Sequence, residues 1–243
     1  MATFTLTNVA VHTDGYDFST DSNELMLGVE VDDVDVTTFQ SGGNRVRVGG
    51  LKDVSLDLSG FWQAGAGQVD PTAFGLLGAT PRVTTVSPTT TEAQTAYLFR
   101  GGQFSYEIFG SIGEAAPFSL SVMASDGIGV VRGQTAKSKG TVSTTGPLGS
   151  GLTDLSTNDQ VSATQFLYGA LHVFSAGTTI TVVLESDDNA GFISPTTRAT
   201  FGPITTTGAT WMRVAGPITD THYRFNVTAI TGTFTVAGVI AIQ

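Results

Sequence analysis

The chain has 243 residues, 30 of them glycine and none cysteine, and its 11 basic and 21 acidic side chains give a formal charge of −10. This length admits one large all-β domain or two small ones, and the lack of cysteine excludes a disulfide framework, a thiolate metal site and a cysteine nucleophile. Basic residues are spread from Arg45 to Arg224 without a cluster, which argues against a surface that binds nucleic acid by displacing counterions. Charged residues make up 13% of the chain, about half the usual share. Many glycines and threonines, with runs of Val, Ile and Phe, favour short strands joined by permissive turns. The expected fold is all-β, an antiparallel sandwich or barrel with one short flanking helix. The start, MATFTLTNVAVHTDG, lacks a basic region and a continuous apolar run, which predicts a soluble chain made in a cytoplasm.

In chain order, Phe4 and Leu6 alternate with threonines, a period-2 pattern with one buried and one wet face. Between Val29 and Val36 the apolar parity flips across Asp32 and Asp33, the phase change of a β-bulge. Next comes VTTFQSGGNRVRVGGLKDVSLDLSGF, Val36 to Phe61. Here Ser41 to Asn44 and Gly49 to Gly50 are expected as turns bounding a short strand with Val46 and Val48 on one face and Arg45 and Arg47 on the other. The two arginines suit charge pairing across a subunit boundary, or a solvated face. Neither glycine pair leads into a helix or the Lys-Ser/Thr of a phosphate-binding loop. Val54, Leu56 and Leu58 then alternate with Asp53, Ser55 and Asp57.

The one expected helix, near residues 70–78, has Asp70 as N-cap, Pro71 at its first helical position, Ala73, Phe74, Leu76 and Leu77 as its apolar residues, and Gly78 as its stop. Strand alternation resumes with Phe104, Tyr106 and Ile108, and with Phe118, Leu120 and Val122. From Arg132 to Asn158 the chain is rich in Gly, Ser and Thr and reads as a long connection, interrupted at most by one strand. The expected organisation is a β part over 1–133, a connecting loop over 134–160, and a C-terminal β part over 161–243. That last part either completes the sandwich or forms a second, similar half. Its clearest strands carry Tyr223, Phe225 and Val227, then Phe234, Val236, Ile240 and Ile242 on one parity.

Reactive groups are sparse. His12, His172 and His222 are far apart and read as structural or surface residues. No nucleophile motif is present, and no base, nucleophile and orienting group assemble into an enzyme site. EVDDVDV (Glu30 to Val36) and ESDDNAGF (Glu185 to Phe192) lack the spacing of a calcium loop. The first reads as a wet strand face with a bulge. The second reads as a hairpin turn in which Asp and Asn bond their own backbone and Gly191 permits positive φ. No metal or cofactor is expected, and Trp62 and Trp211 read as core or interface residues.

The order Val36-Thr-Thr-Phe39, Ser41-Gly-Gly43, Arg45, Gly50-Leu51-Lys52-Asp53 and the strand ending Gly60-Phe61 resembles the signature of major tail tube proteins of long-tailed, siphovirus-type bacteriophages. The later YGALHVFSAGTTITVVLESDDNAGF (from Tyr168) and the closing TFTVAGVIAIQ are similar to the C-terminal half of such proteins. The resemblance implies a structural virion protein without catalytic residues. Its subunits would form hexameric or pseudo-hexameric rings stacked into a hollow tube, through which DNA passes without specific binding. It also implies tape measure and tail terminator or initiator proteins as partners, assembly in the host cytoplasm and a place in the virion. The residues expected to join subunits are Phe39, Gly43, Arg45, Arg47, Gly49, Gly50, Leu51, Lys52, Asp53, Gly60 and Phe61. The connecting loop, with Lys137, Lys139, Gly140, Pro147 and Gly149, is expected to reach between rings. Rival readings are another virion β-sandwich, such as a head decoration or neck protein, and a carbohydrate-binding module using the two tryptophans.

Overall fold

The computed structural model describes residues 6–79, 81–153, 155 and 159–243; Phe4 of the expected first strand, and Asn158, lie outside them. In chain order the strands begin with β1 (Ala10–Thr13), β2 (Tyr16–Asp17), β3 (Ser22–Asp35) and β4 (Arg47–Phe61). The helix α1 (Val69–Leu76) follows, then β5 (Arg82–Ser87), β6 (Thr95–Ile108), β7 (Pro117–Ala124), β8 (Val131–Val142) and β9 (Gly146–Leu152). The chain continues with β10 (Phe166–Ser175), β11 (Thr179–Asp187), β12 (Thr196–Ile204), β13 (Gly208–Ala215), β14 (His222–Thr231) and β15 (Phe234–Ile242). The fold class is therefore all-β and antiparallel, with one short α-helix.

The chain divides into two compact units, and the division is not consecutive. One unit takes Met1–Thr20, Arg82–Phe99 and Val131–Gln243, the other Asp21–Pro81 and Arg100–Val130. Residues 1–20 and 82–99, which the sequence grouped with the rest of 1–133, belong instead with the C-terminal strands. The reason is strand pairing: β1 pairs with β5, and the first half of β6 pairs with β8.

The larger unit is a sandwich. One sheet runs β13-β10-β15-β8-β6-β5-β1-β2, and the other β12-β11-β14-β9. Leu171, Ile240 and Val236 of the first sheet share a buried cluster with Leu184, Phe201, Tyr223 and Phe225 of the second. Phe201 and Phe225 meet edge to face at 5.4 Å, a favoured aromatic arrangement. Gly238 lies beneath Phe225: a Cβ there would stand 2.6 Å from the ring.

The stretch expected as a long connection is instead β8 and β9, joined by a short turn. β8 pairs with β15 and β9 with β14. Its strands carry little apolar alternation because backbone approaches backbone: a Cβ at Gly133 would overlap Ile240 O, and one at Gly149 would overlap Ala136 O. Small residues serve that approach, and they erase the pattern by which strands are read.

The smaller unit is a four-stranded antiparallel sheet, β3-β4-β7 followed by the second half of β6. Val54, Leu56, Leu58, Phe118, Leu120 and Val122 make its buried face, with Val69, Ala73 and Leu76 from α1. Gln103 fastens the helix, donating from Nε2 to Ala73 O at 2.9 Å and accepting from Gly78 N at 2.9 Å. Gly78 ends the helix at φ +70°, as its freedom from a Cβ clash allows. Asp70 is not the N-cap; Gln68 is. The Asp70 carboxylate accepts instead from Trp62 Nε1 and Tyr106 Oη, both at 2.9 Å. Burial and this bond to Asp70 raise the Tyr106 pKa. Phe104 is exposed: it is the extra residue of a bulge, left without a cross-strand partner between Gln103 and Ser105.

Candidate assembly surface

In the smaller unit β3 and β4 are longer than the strands beside them. β7 pairs with β4 only from Ser55 to Phe61, so residues 29–54 form a two-stranded arm beyond the sheet. The bulge expected in the run from Val29 to Val36 adds its residue to the partner strand instead: Val31 pairs with Lys52 and Asp33 with Gly49, so that Gly50 and Leu51 of β4 oppose Asp32 alone. Gly49 and Gly50 are not a turn: β4 passes through them unbroken. Gly50 is part of this bulge, where a Cβ would stand 2.9 Å from Asp32 Cβ, so glycine admits the crowding. The turn at the tip holds Phe39, fully exposed, and Gly42 and Gly43 at φ +64° and +82°.

Strand alternation gives the arm two faces. Lys52 and Val31, on the near side of the bulge, keep the line of Val54, Leu56 and Leu58, and Val31 is 50% exposed. Beyond the bulge Val34, Val36, Val46 and Val48 leave that line for the face of Glu30 and Asp53, Val48 50% exposed against 0% for Leu56. The opposite, wet face carries Glu24, Glu30, Asp53, Asp57 and Glu107, with serines 55, 59, 105, 119 and 121 in register between them. Beyond the bulge the line of Val31 is taken up by Asp33, Asp35 and Arg47, and Arg47 Nη1 lies 2.9 Å from Asp33 Oδ2. Arg47 thus pairs within its own arm, while Arg45 has no ion pair among the described residues. Leu51 projects from the wet face, 80% exposed. Asp53 Oδ1 accepts from Val54 N at 2.8 Å. Asp35 Oδ1 accepts from Thr37 N at 2.9 Å, and bonds from Thr37 hold its pKa below the ordinary carboxylate value.

At the other end of the same strands, Phe61 pairs with Pro117 beside the turn between β6 and β7. Phe61, Phe109 and Ile112 are exposed there, and Trp62 contacts Phe109 edge-on at 5.5 Å. Gly60 is packed so closely that a Cβ would overlap Asp21 O. Among the described residues the sheet has two free edges, β3 on one side and Ser105–Ile108 of β6 on the other.

The residues expected to reach between rings lie in the larger unit and are engaged there. Lys137 Nζ is 3.0 Å from Glu92 Oε1, which also accepts from Ser138. Burial pushes the Glu92 pKa up, but these bonds outweigh it and hold it low. Lys139 Nζ is 2.7 Å from Asp17 and 4.9 Å from the centre of the Phe174 ring. Gly140 pairs with Val236 and Pro147 with Asn226. Gly149, at φ +81°, lies against Ala136.

Two histidines that the sequence separates by 160 positions meet in this unit, with ring centres 5.5 Å apart. His172 is buried between Thr85 Oγ1 at 3.1 Å and Asp14 O at 2.7 Å, and burial lowers its pKa to about 4. His12 lies 3.7 Å from Asp17, and burial lowers its pKa to about 3. Beside them is a cavity of about 190 Å³ lined by Thr85, Ser87, Thr135 and Lys139. The loop after β11 is built as expected from Asx turns: Asp187 accepts from Asn189 N and Ser194 N, and Asn189 from Gly191 N. Its positive φ belongs to Phe192, at +48°, and not to Gly191. Trp211 is half-buried and faces Tyr168 at 5.5 Å.

No family model and no curated protein matches the chain. Among solved structures, it is similar to a chain of the virion of a native gene transfer agent particle at 18% identity and TM-score 0.37, over 44% of this chain and 81% of that one. It is similar to the SPP1 tail tube at 12% identity and TM-score 0.37, over 51% and 76%. It is also similar to the SPP1 Dit protein, described as a hub of the adsorption apparatus of phages infecting Gram-positive hosts, at 11% identity and TM-score 0.37, over 96% and 99%.

Proposed function

We propose that this chain is a structural subunit of a phage tail that joins copies of itself into rings and stacks the rings into a hollow tube. The observation that carries the reading is the smaller unit's sheet, which among the described residues has two free edges, a cluster of exposed valines on the arm, and an acidic, serine-rich face. Free edges are pairing sites that soluble monomers usually blunt. Joining β3 of one copy to β6 of the next closes the sheets into a barrel and removes both. Six copies, as the tail tube resemblance implies, would give four strands each. At a strand spacing near 4.8 Å and a tilt near 40°, the barrel backbone would be about 50 Å across. Barrels of about eight strands are filled by their own side chains; one this wide encloses a channel.

With the wet face inward, Glu24, Glu30, Asp53, Asp57 and Glu107 line that channel. A carboxylate wall repels phosphate and lets a duplex slide, whereas a basic wall would hold it. Phe39, Gly43, Arg45, Leu51 and Lys52 act as contact residues of the arm, and Gly49, Gly50 and Gly60 as the close-packing positions that shape it. Because Lys137 and Lys139 are committed to internal pairs, the contacts between subunits are assigned to the smaller unit. A tape measure inside the channel and terminator or initiator proteins at its ends follow from the resemblance alone.

Negative-stain electron microscopy of the purified protein over a concentration series tests this. The expected images are rings and hollow tubes of uniform diameter. Closed small oligomers at every concentration would favour a decoration or neck protein, and a monomer that binds a glycan array would favour the carbohydrate-binding reading.

A further inference from the structure

We infer that the curled sheet of the larger unit encloses a binding site for one neutral, hydroxyl-rich ring, a monosaccharide in size and chemistry, held between His12 and the Ser87–Thr135 pair. The site lies apart from the proposed assembly surface and does not depend on it. Its walls come from one face of the path β13-β10-β15-β8-β6-β5-β1-β2. Leu167, Leu171 and Val173 of β10 face the sandwich core; Tyr168, Ala170 and His172 alternate with them and face the other way. On that side Thr85 of β5 meets His172 at 3.1 Å. Strands β15, β8 and β6 stand between these two in the sheet, and a flat sheet would hold them about 19 Å apart. The sheet therefore curls on itself. Asp14, in the turn between β1 and β2, ties its ends together, with Oδ1 accepting from Ala209 N of β13 at 2.9 Å. A barrel-like curl of about eight strands leaves an interior that its own side chains fill or that holds one small ligand.

At the His12 end the wall residues are small. Ala10, Ser87, Thr135, Ala237 and Gly238 leave the cavity of about 190 Å³. One water needs about 10–15 Å³, and a dry apolar cavity of about 150 Å³ admits benzene. Here the space is larger, and hydroxyls stand over a floor of Ala237 and Val239. Ser87 Oγ and Thr135 Oγ1 share one hydrogen bond at 3.0 Å, which leaves an O–H and spare lone pairs for a guest. His12 is 6% exposed and lines the same space. Its Nε2 is 3.7 Å from Asp17, beyond hydrogen-bond reach, and its ring has no hydrogen-bond partner among the described residues. Burial keeps the imidazole neutral, so it offers one donor and one acceptor, the complement of a sugar hydroxyl. The surrounding charges are already paired, Lys139 with Asp17 and Lys137 with Glu92. An anion would meet Asp17 and a cation Lys139, so the guest is neutral. Glu92 also accepts from Ser138 N and Ser150 Oγ, both at 3.1 Å. These bonds pin the connection between β5 and β6, whose Thr89 and Thr90 complete the wall.

Titration calorimetry of the full chain with glucose, galactose, mannose and glycerol, and with glucuronate and glucosamine as charged controls, tests the site. The expected result is saturable one-to-one binding of a neutral sugar, with its charged relatives bound more weakly. Ser87→Ala/Thr135→Val removes both hydroxyls of the pair and should weaken binding about ten- to thirty-fold, as the loss of two hydrogen bonds does. An unchanged melting temperature verifies that this variant folds. Ala10, which pairs with Ser87, faces the same space, and Ala10→Leu should fill it and abolish binding. The methyl glycoside of the bound sugar separates two sources of the ligand. Equal affinity assigns the site to the end of a glycan, and lost affinity to a free monosaccharide; both uphold the site. No saturable heat from any neutral probe at its highest soluble concentration, the outcome for a cavity filled by water alone, overturns the inference. So does binding that both variants leave unchanged, because the sugar then sits elsewhere.

Discussion

Val54, Leu56 and Leu58 are buried, while Val48 of the same strand and Val46 just before it are exposed. The residues alternate alike along both halves, but the bulge at Gly50 and Leu51 turns the far half over, and the neighbour differs too. From Ser55 onward, β7 stands beside the strand and the unit has its own core. Before that point β4 has only β3. A cluster of valines beyond the core gains little in a monomer, and this contrast marks where the proposed assembly would place a second molecule.

The most severe test of the contrast is to truncate one side chain on each half. Leu56→Ala should cost about 2–5 kcal/mol, the range for buried large-to-small changes, and Val48→Ala less than about 0.5 kcal/mol in the dilute monomer. Urea denaturation of the two variants measures both; equal losses would mean that the arm is covered within its own chain.

Acid offers a second contrast, this time with the buried histidine pair of the larger unit. Folding holds His12 and His172 neutral, with pKa values near 3 and 4, whereas in the unfolded chain they take up protons near 6.5. The stability they contribute is therefore complete above about pH 6.5 and is lost as the pH falls toward 4 and 3, by about 2 kcal/mol for each histidine at pH 5. Asp14 and Asp17 temper this loss and Lys139 adds to it. Denaturation midpoints between pH 7 and 5 should fall, and His12→Gln should remove about half of the slope. A flat profile would show that the pair is not buried.

Smaller effects refine the boundary between base and arm. Asp70→Ala removes the acceptor of Trp62 and Tyr106 and should cost about 1.5–3 kcal/mol, as bonds to charged groups do. Arg47→Ala breaks a half-exposed pair with Asp33 and should change monomer stability by less than about 0.5 kcal/mol. A melting curve for each orders them. A larger loss for Arg47→Ala would mean that the arm's charges stabilise the fold rather than only decorate it.

Much of this architecture was legible in residue order. Period-2 alternation located β4, β7, β14 and β15, because half-buried strands write their burial directly into the chain. Gly78 announced the end of the helix, whereas the parity flip at Asp32 and Asp33 stands opposite a bulge whose extra residue belongs to β4. Asp187 and Asn189 signalled a turn closed on its own backbone. The rest was settled in three dimensions. β8 and β9 were hidden because Gly133 and Gly149 answer to the backbone of another strand, which leaves no apolar rhythm to read. Asp70 resembled a cap until Trp62 and Tyr106 arrived from elsewhere in the chain to occupy its oxygens. His12 and His172 looked unrelated because pairing of β1 with β5, and of β10 with β15, is invisible locally. Above all, nothing in the alternation from Val46 to Leu58 tells which valines are covered. Burial belongs to the neighbour as much as to the residue, and the short partner strand β7 sets where the core ends and the arm begins.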